Sequence, residues 1–240
     1  SRPGARGCRL ADPAAAAGRG RDDGPMNSAA NFDPLVRSYR ALEWLAFGHD
    51  LERTRFCLLD RLADRSSILV LGEGDGRALA RLVTLAPTAR IHCLDSSAAM
   101  LTRAQARLAG SDALSRVTFE QADAITCEFK PAHYDAVVTL YFLDCFTAEQ
   151  ATALVNRISV ALQANASWLF ADFVLPARGI ARVRAKAWLS LLYTFFRWST
   201  GLRTRALPPS ETLIHAAGFQ CEITRDFQHG LLRSAFFRRP

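Results

Sequence analysis

The sequence predicts an α/β fold, a mostly parallel sheet with helices on both faces. Three observations carry that reading. Ile68-Leu69-Val70-Leu71 is a run of branched apolar residues, as expected of a strand buried on both faces, and Gly72, Gly74 and Gly76 follow it at every second position. Strand-like and helix-like segments then alternate as far as Pro176. Finally, "QCEITRDF" and "GLLRSAFFRR" are two alternating strands suited to antiparallel pairing.

The elements follow in order. Residues 1–27 hold abundant Gly, Pro and Ala and almost no large apolar side chain, so they are expected as a disordered extension, with Met26 as the natural start. Residues 28–240 are expected to form a single domain. Leu35, Tyr39, Leu42 and Leu45 recur at helical spacing, Gly48 ends that helix, and a second is expected over Leu51 to Leu62. After the glycines, "RALARLVTLAP" reads as a helix stopped by Pro87, "ARIHCLD" as a second strand, and "SAAMLTRAQARLAG" as a helix capped by Ser96 or Ser97 and ended by Gly110. "RVTFEQAD" and "YDAVVTLYF" are strands three and four. A helix with Thr147 as N-cap precedes "ASWLFADFVLP", strand five, and "SETLIHAAGF" is a helix opened by Ser210 and stopped by Gly218.

The formal charge is +7, and its distribution accounts for it. No acid lies between Asp172 and Glu211, whereas Arg178, Arg182, Arg184, Lys186, Arg197, Arg203 and Arg205 all fall there. These cations flank an aromatic helix rather than outlining a groove, so no nucleic acid partner is expected. The six cysteines form no CxxC pair and no cluster with the five histidines. Reduced cysteines, a cytoplasmic setting and no metal site are expected. No apolar run reaches the length of a membrane span.

An alternating β/α chain places its ligand crevice at the carboxyl ends of the strands. The glycines stand at one such end, Asp95 at the next, 23 residues after Gly72, where a carboxylate can accept both hydroxyls of a ribose, and Asp123 at the third. The nearest rival is a nicotinamide-dependent oxidoreductase, which shares this layout. Its fingerprint is G-x-G-x-x-G, however, and this loop is G-x-G-x-G.

"LVLGEGDGR", "IHCLDSSAAML", "FEQADA" and "YDAVVTLYFLD", in that order, resemble the class I S-adenosylmethionine-dependent methyltransferases. The resemblance covers nearly all of residues 30 to 240 and implies a Rossmann-like, seven-stranded sheet with an antiparallel C-terminal strand and N-terminal helices. It also implies S-adenosyl-L-methionine as cofactor. The methionine part would lie on Gly72, Gly74 and Gly76, the ribose on Asp95, and the adenine on Asp123, framed by the Ala124 amide, Ser96 and Met100. Leu140 would border the same cofactor. Where the family often carries an acid before the first glycine, this chain has Val70, and Glu73 and Asp75 are the loop acids left to meet the cofactor's ammonium. A nearer similarity is to the ubiquinone/menaquinone biosynthesis C-methyltransferases, through "NFDPLVRSYRALEWLAFG", "ADFVLP" and "GLLRSAFFRR", and it implies that Tyr39 closes over the cofactor.

Tyr141, Asp144 and Cys145 follow strand four at the mouth where an acceptor would approach; Asp144 and Tyr141 are the candidate catalytic residues. Residues 178–207 exceed a simple crossover and read as a helical lid, with Trp188, Tyr193 and Arg197 toward the acceptor. The expected reaction is a metal-free methyl transfer to the oxygen, carbon or sulfur of a small, largely apolar acceptor. Through its aromatic stripe and flanking cations, the 178–205 segment is also suited to peripheral membrane contact or to a homodimer. The same fold could instead serve as a non-catalytic cofactor-binding partner subunit.

Overall fold

The computed structural model describes residues 48–176, 179–180, 182–185, 187–188 and 206–240. The expected extension over residues 1–27, Tyr39, Tyr193, Arg197 and most of the 178–207 lid lie outside the described residues.

The described elements run α1 (Asp50–Phe56), β1 (Ser67–Leu71), α2 (Arg77–Leu85), β2 (Arg90–Asp95), α3 (Ala98–Leu108), β3 (Val117–Gln121), β4 (Tyr134–Leu140), α4 (Ala148–Ala161), β5 (Leu162–Phe173), α5 (Ser210–Ala216), β6 (Gln220–Phe227) and β7 (Leu232–Arg238). Seven strands form one sheet in the order β3-β2-β1-β4-β5-β7-β6. The five strands from β3 to β5 are parallel, and β7 is antiparallel to both β5 and β6. The chain winds outward from β1 to β3, returns, and winds the other way from β4. The switch between β1 and β4 is where an open α/β sheet leaves a crevice at its carboxyl edge.

Both faces of the sheet are covered, which is why β1 is apolar from Ile68 to Leu71. Ile68 and Val70 pack on one side with Leu79, Leu82 and Leu101, and Leu69 and Leu71 on the other with Leu154, Val155 and Ile158. The register of β1 on β4 is pinned by Asp135, whose carboxylate accepts the amides of Ser66 (2.8 Å) and Ser67 (2.9 Å) and the Ser66 hydroxyl (2.7 Å).

Local signals hold with adjustments. Thr147 and Gln150 form a reciprocal capping box on α4. Of the two serines at the head of α3, Ser97 is the cap, its hydroxyl accepting the Met100 amide at 3.2 Å. Ser210 is the first helical residue of α5, and Pro209 takes the cap position. The helix expected over Leu51 to Leu62 ends at Phe56. Leu58 leaves helical geometry (φ −128°, ψ 10°), and a 3₁₀ turn over Leu59–Leu62 then buries Leu59 and Leu62 completely.

Gly76 precedes α2 with φ +83°, and a Cβ there would lie 2.5 Å from the Ala104 Cα of α3. Gly74 has φ +71° with nothing within 4 Å of the same position. Gly76→Ala is therefore expected to destabilise by about 2 to 4 kcal/mol, the left-handed backbone and the overpacking adding together, and Gly74→Ala by only about 1 to 2 kcal/mol. Urea denaturation of the two variants measures the difference.

Candidate active site

The crevice is built where β1, β2, β4 and β5 end. Gly72, just after β1, donates its amide to the Leu94 carbonyl at 2.9 Å, turning the chain (φ +64°) across the end of β2. Its missing side chain is required by a neighbour, because a Cβ would meet the Phe142 ring at 2.3 Å. Gly74 then presents bare backbone to open space, the condition a ligand needs to lie against the main chain.

Asp95 closes the far side of this loop. Its Oδ2 accepts the Gly74 amide at 3.3 Å and its Oδ1 the Ser97 amide at 2.9 Å, so the end of β2 fixes both the glycine loop and the start of α3. Ser96 is exposed beside it, and Met100 lies one turn into α3. Asp123 follows β3, its Oδ1 accepting the Ile125 amide at 2.9 Å. Ala124 is buried, and its carbonyl accepts from Arg157 at 3.1 Å. Leu140 is buried at the end of β4.

The two loop acids diverge. Asp75 is held by Arg77 (3.0 Å) and Arg107 (2.9 Å). Burial alone would raise its pKa, but the two guanidiniums outweigh that and bring it below the usual value. It therefore joins the loop to α3 and is not left over for a ligand charge. Glu73 turns back to accept the Leu79 amide at 2.9 Å, satisfying a free N–H in the first turn of α2. The residue keeps some exposed surface but its carboxyl is enclosed, and that burial pushes the pKa up to about 7 against the pull of the helix amides and Arg55.

On the β4 side, Tyr141 sits in a left-handed conformation (φ +55°) with its amide donating to the Ala171 carbonyl at 2.7 Å. Its ring packs edge-on to Phe173 (5.2 Å between centroids), and the Arg55 guanidinium lies over it at 5.0 Å. The hydroxyl is buried without a hydrogen-bond partner among the described residues, and the nearby Thr54 hydroxyl donates to the Asp50 carbonyl at 2.6 Å. Burial raises this phenol well above its ordinary range, so Tyr141 is neutral near pH 7.

Asp144 stands one residue from a 3₁₀ turn's start, its Oδ1 3.7 Å from the Cys145 thiol that donates to it. Its carboxyl is enclosed, and burial pushes its pKa up to about 6. Directly behind it is a residue not singled out from the sequence: Asp172 of β5, only 1% exposed, whose Oδ2 accepts the Asp144 amide at 3.1 Å and whose Oδ1 accepts the Phe173 amide at 2.8 Å. Burial, then the neighbouring Asp144 charge, hold Asp172 protonated well above the usual carboxylate range. Arg55 was likewise not foreseen, although its charge acts on Glu73, Tyr141 and Asp144 alike. An acid inside the apolar run "SWLFADFVL" was the available signal for Asp172, because an unpaired buried charge is costly.

The structure thus brings Gly72, Glu73, Gly74, Asp95, Tyr141 and Asp144 to one edge of the sheet, with Asp123 and Ala124 at the end of the adjoining β3. Trp188 is 39% exposed on the insertion. Among the described residues, no group of three or more His, Cys, Asp or Glu could hold a metal ion.

Residues 68–165 match a family model described as a methyltransferase domain. No curated protein matches the chain in sequence. Among solved structures it is similar to the mitomycin 7-O-methyltransferase MmcR, at 18% identity and a TM-score of 0.60 over 87% of this chain and 60% of MmcR. It is similar to human N-acetylserotonin methyltransferase in complex with SAM, at 15% identity and 0.57 over 87% of this chain and 56% of that one. The N-methyltransferase NodS from Bradyrhizobium japonicum matches at 19% identity and 0.54, over 80% of this chain and 97% of NodS. The chain spans about three fifths of the length of the first two. The matched segment is similar to a methyltransferase domain, and the fold is one that these solved methyltransferases share. The similarity to the ubiquinone/menaquinone C-methyltransferases rests on sequence segments alone.

Glu73 gives this edge a pH dependence. Its carboxyl titrates near 7 when folded and near the ordinary 4.5 when unfolded. Between those values the folded state holds the proton more tightly, so stability falls as pH rises, by about 3 kcal/mol. Glu73→Gln should flatten the decline in melting temperature across that window while keeping the bond from Leu79.

Proposed function

We propose that the chain is an S-adenosylmethionine-dependent methyltransferase acting on a small, largely apolar acceptor by in-line transfer. The observation that carries this reading is the open, side-chain-free backbone at Gly74 held against Asp95. It offers a flat approach for a nucleoside with a carboxylate at the ribose position. Carboxyls around the crevice, Glu73, Asp95 and Asp144, suit a cofactor that carries a sulfonium and an ammonium.

When bound, the cofactor supplies an electrophilic methyl group. The chain's own residues then hold the nucleophile in line and exclude water, and such positioning lowers a barrier by about 7 to 11 kcal/mol in well-oriented systems. In this reading Gly72 to Gly76 bear the methionine part, Asp95 the ribose, and Asp123, Ala124, Ser96 and Met100 the adenine, with Leu140 beneath. Asp144 takes the acceptor's proton. Its pKa of about 6 leaves it ionised at neutral pH yet still basic enough to serve.

The insertion supports a second element of the proposal. Ile180 (80% exposed), Val183 (69%) and Trp188 share a helical stripe with the exposed Arg184. This stripe suits an anionic lipid surface, from which an apolar acceptor would enter, or a second copy of the chain. Among the described residues no helix is long and apolar enough to cross a membrane. The free thiols of Cys57, Cys93, Cys127, Cys145 and Cys221 suit a cytoplasmic setting.

Calorimetry with S-adenosylmethionine and its demethylated product tests the cofactor, and Asp95→Ala should weaken binding by about 1 to 3 kcal/mol. Binding of NAD with no binding of either sulfur nucleoside would sink the reading. A screen of phenols, quinols, thiols and lipid extracts with labelled cofactor tests turnover. With any acceptor found, Asp144→Asn should lower kcat by about a hundredfold while cofactor affinity stays within about threefold. Cofactor binding with no turnover, alongside a copurifying protein, would favour the partner-subunit alternative. For the insertion, salt-sensitive cosedimentation with anionic vesicles, lost in Arg184→Gln, is the expected result.

A further inference from the structure

Nothing in the proposed chemistry uses Asp172, yet it is the one charged residue type placed fully in the interior among the described residues. Among the described residues its surroundings offer little compensation. Arg233 stands opposite it in the β5–β7 register, but that guanidinium is taken up by Asp226 at 2.6 Å and Glu211 at 3.1 Å. From α1, Arg55 acts on Asp144. From the end of β4 come the Tyr141 phenol and the Cys145 thiol, both kept neutral by burial, and Asp95 adds a further carboxylate within electrostatic reach of that thiol. Two enclosed carboxyls side by side, with Arg55 acting on Asp144, do not both ionise near neutrality. A single proton stays in the pair, and it stays on the deeper member.

A second observation belongs to the same place. The Tyr141 hydroxyl is buried, lacks a partner among the described residues, and lies within electrostatic reach of both Asp144 and Asp172. A buried hydroxyl without a partner is costly, and an oxygen-bearing ligand beside the pair would satisfy it.

We propose that Asp172 is the positioning residue of this site: it holds the pair's single proton, donates it as a hydrogen bond to Asp144, and thereby presents Asp144 as an oriented carboxylate to the hydroxyl of a phenolic or enolic acceptor. The inference rests on the methyltransferase reading for its acceptor and on the pair's geometry for the rest. In the step, the acceptor O–H proton passes to Asp144 as an oxygen lone pair forms the new O–C bond. The methyl–sulfur bond breaks with its electron pair remaining on sulfur, and Asp144 afterwards releases the proton to water. A phenol, ordinarily near pKa 10, lies within reach of such a base, whereas an unactivated alcohol is far weaker as an acid.

The test begins with the ligand-free full chain. Infrared difference titration follows the carbonyl stretch of protonated carboxyl groups from about pH 5 to about pH 9, a range that brackets the shifted carboxyls. One protonated carboxyl is expected to persist after Glu73 and Asp144 have titrated, and to vanish in Asp172→Asn. In Asp144→Asn, with the like charge gone, the same band should titrate at least about one pH unit lower. Absence of the band in wild type, or its survival in Asp172→Asn, overturns the proposal. In turnover, with the phenol identified by the acceptor screen, Asp172→Ala should lower kcat about tenfold or more and move the acid limb of the pH profile upward. Asp172→Asn, which keeps a donor toward Asp144, should recover most of that loss. Equal losses in both variants with unmoved limbs overturn the proposal and leave Asp172 a packing residue. Failure of the methyltransferase reading registers separately, as absent cofactor binding in calorimetry, and leaves the infrared result standing.

Discussion

The contact between the Gly72 backbone and the Phe142 ring is the constraint on which the crevice depends. It joins the ends of β1 and β4, the two strands between which the chain reverses its winding, and any side chain at Gly72 would drive them apart. With that approach fixed, the loop has one course: it bends past Leu94, offers Gly74 to Asp95, and enters α2 at a glycine pressed on α3. Packing density makes such an arrangement stiff, because interiors close to crystal density do not yield by fractions of an ångström without cost.

Around this rigid loop the electrostatics divide by depth. Asp75 and Asp135 lie where guanidinium or backbone donors reach them, and they act as structural ties. Glu73, Asp144 and Asp172 are enclosed, and their carboxyls are shifted upward in each case first by burial. A crevice lined in this way is poised for a positively charged occupant, which would draw the shifted values back down and recover the desolvation cost that the empty protein carries.

The elements legible in the sequence are those whose signals are local. Gly72, Gly74 and Gly76 directly after an apolar run, Asp95 at the close of the next strand, and Thr147 ahead of α4 each declare themselves within a few residues. What escaped depends on distant parts of the chain. Asp172 looks like an interruption of a buried strand until β4 brings Asp144 against it, 28 residues earlier. Asp75 reads as a free loop acid until Arg107 arrives from α3, 32 residues on. The break at Leu58 is not signalled by the helical periodicity over Leu51 to Leu62, which runs through it. The acceptor's identity is a matter of pocket shape, which spacing does not encode either.

The insertion of β7 between β5 and β6 has a consequence for how the protein is made. The edge of β5, with Trp168 and Phe170 beside it, is completed by residues 232–238, and in chain order these come after every other strand. As the polypeptide leaves the ribosome, five parallel strands can assemble around β1 while that apolar edge remains open to any other extended segment. Closure then requires a late pairing across some sixty residues, the kind of distant contact that folds slowly. The growing chain therefore passes through a stage in which its folded half still exposes an apolar strand edge.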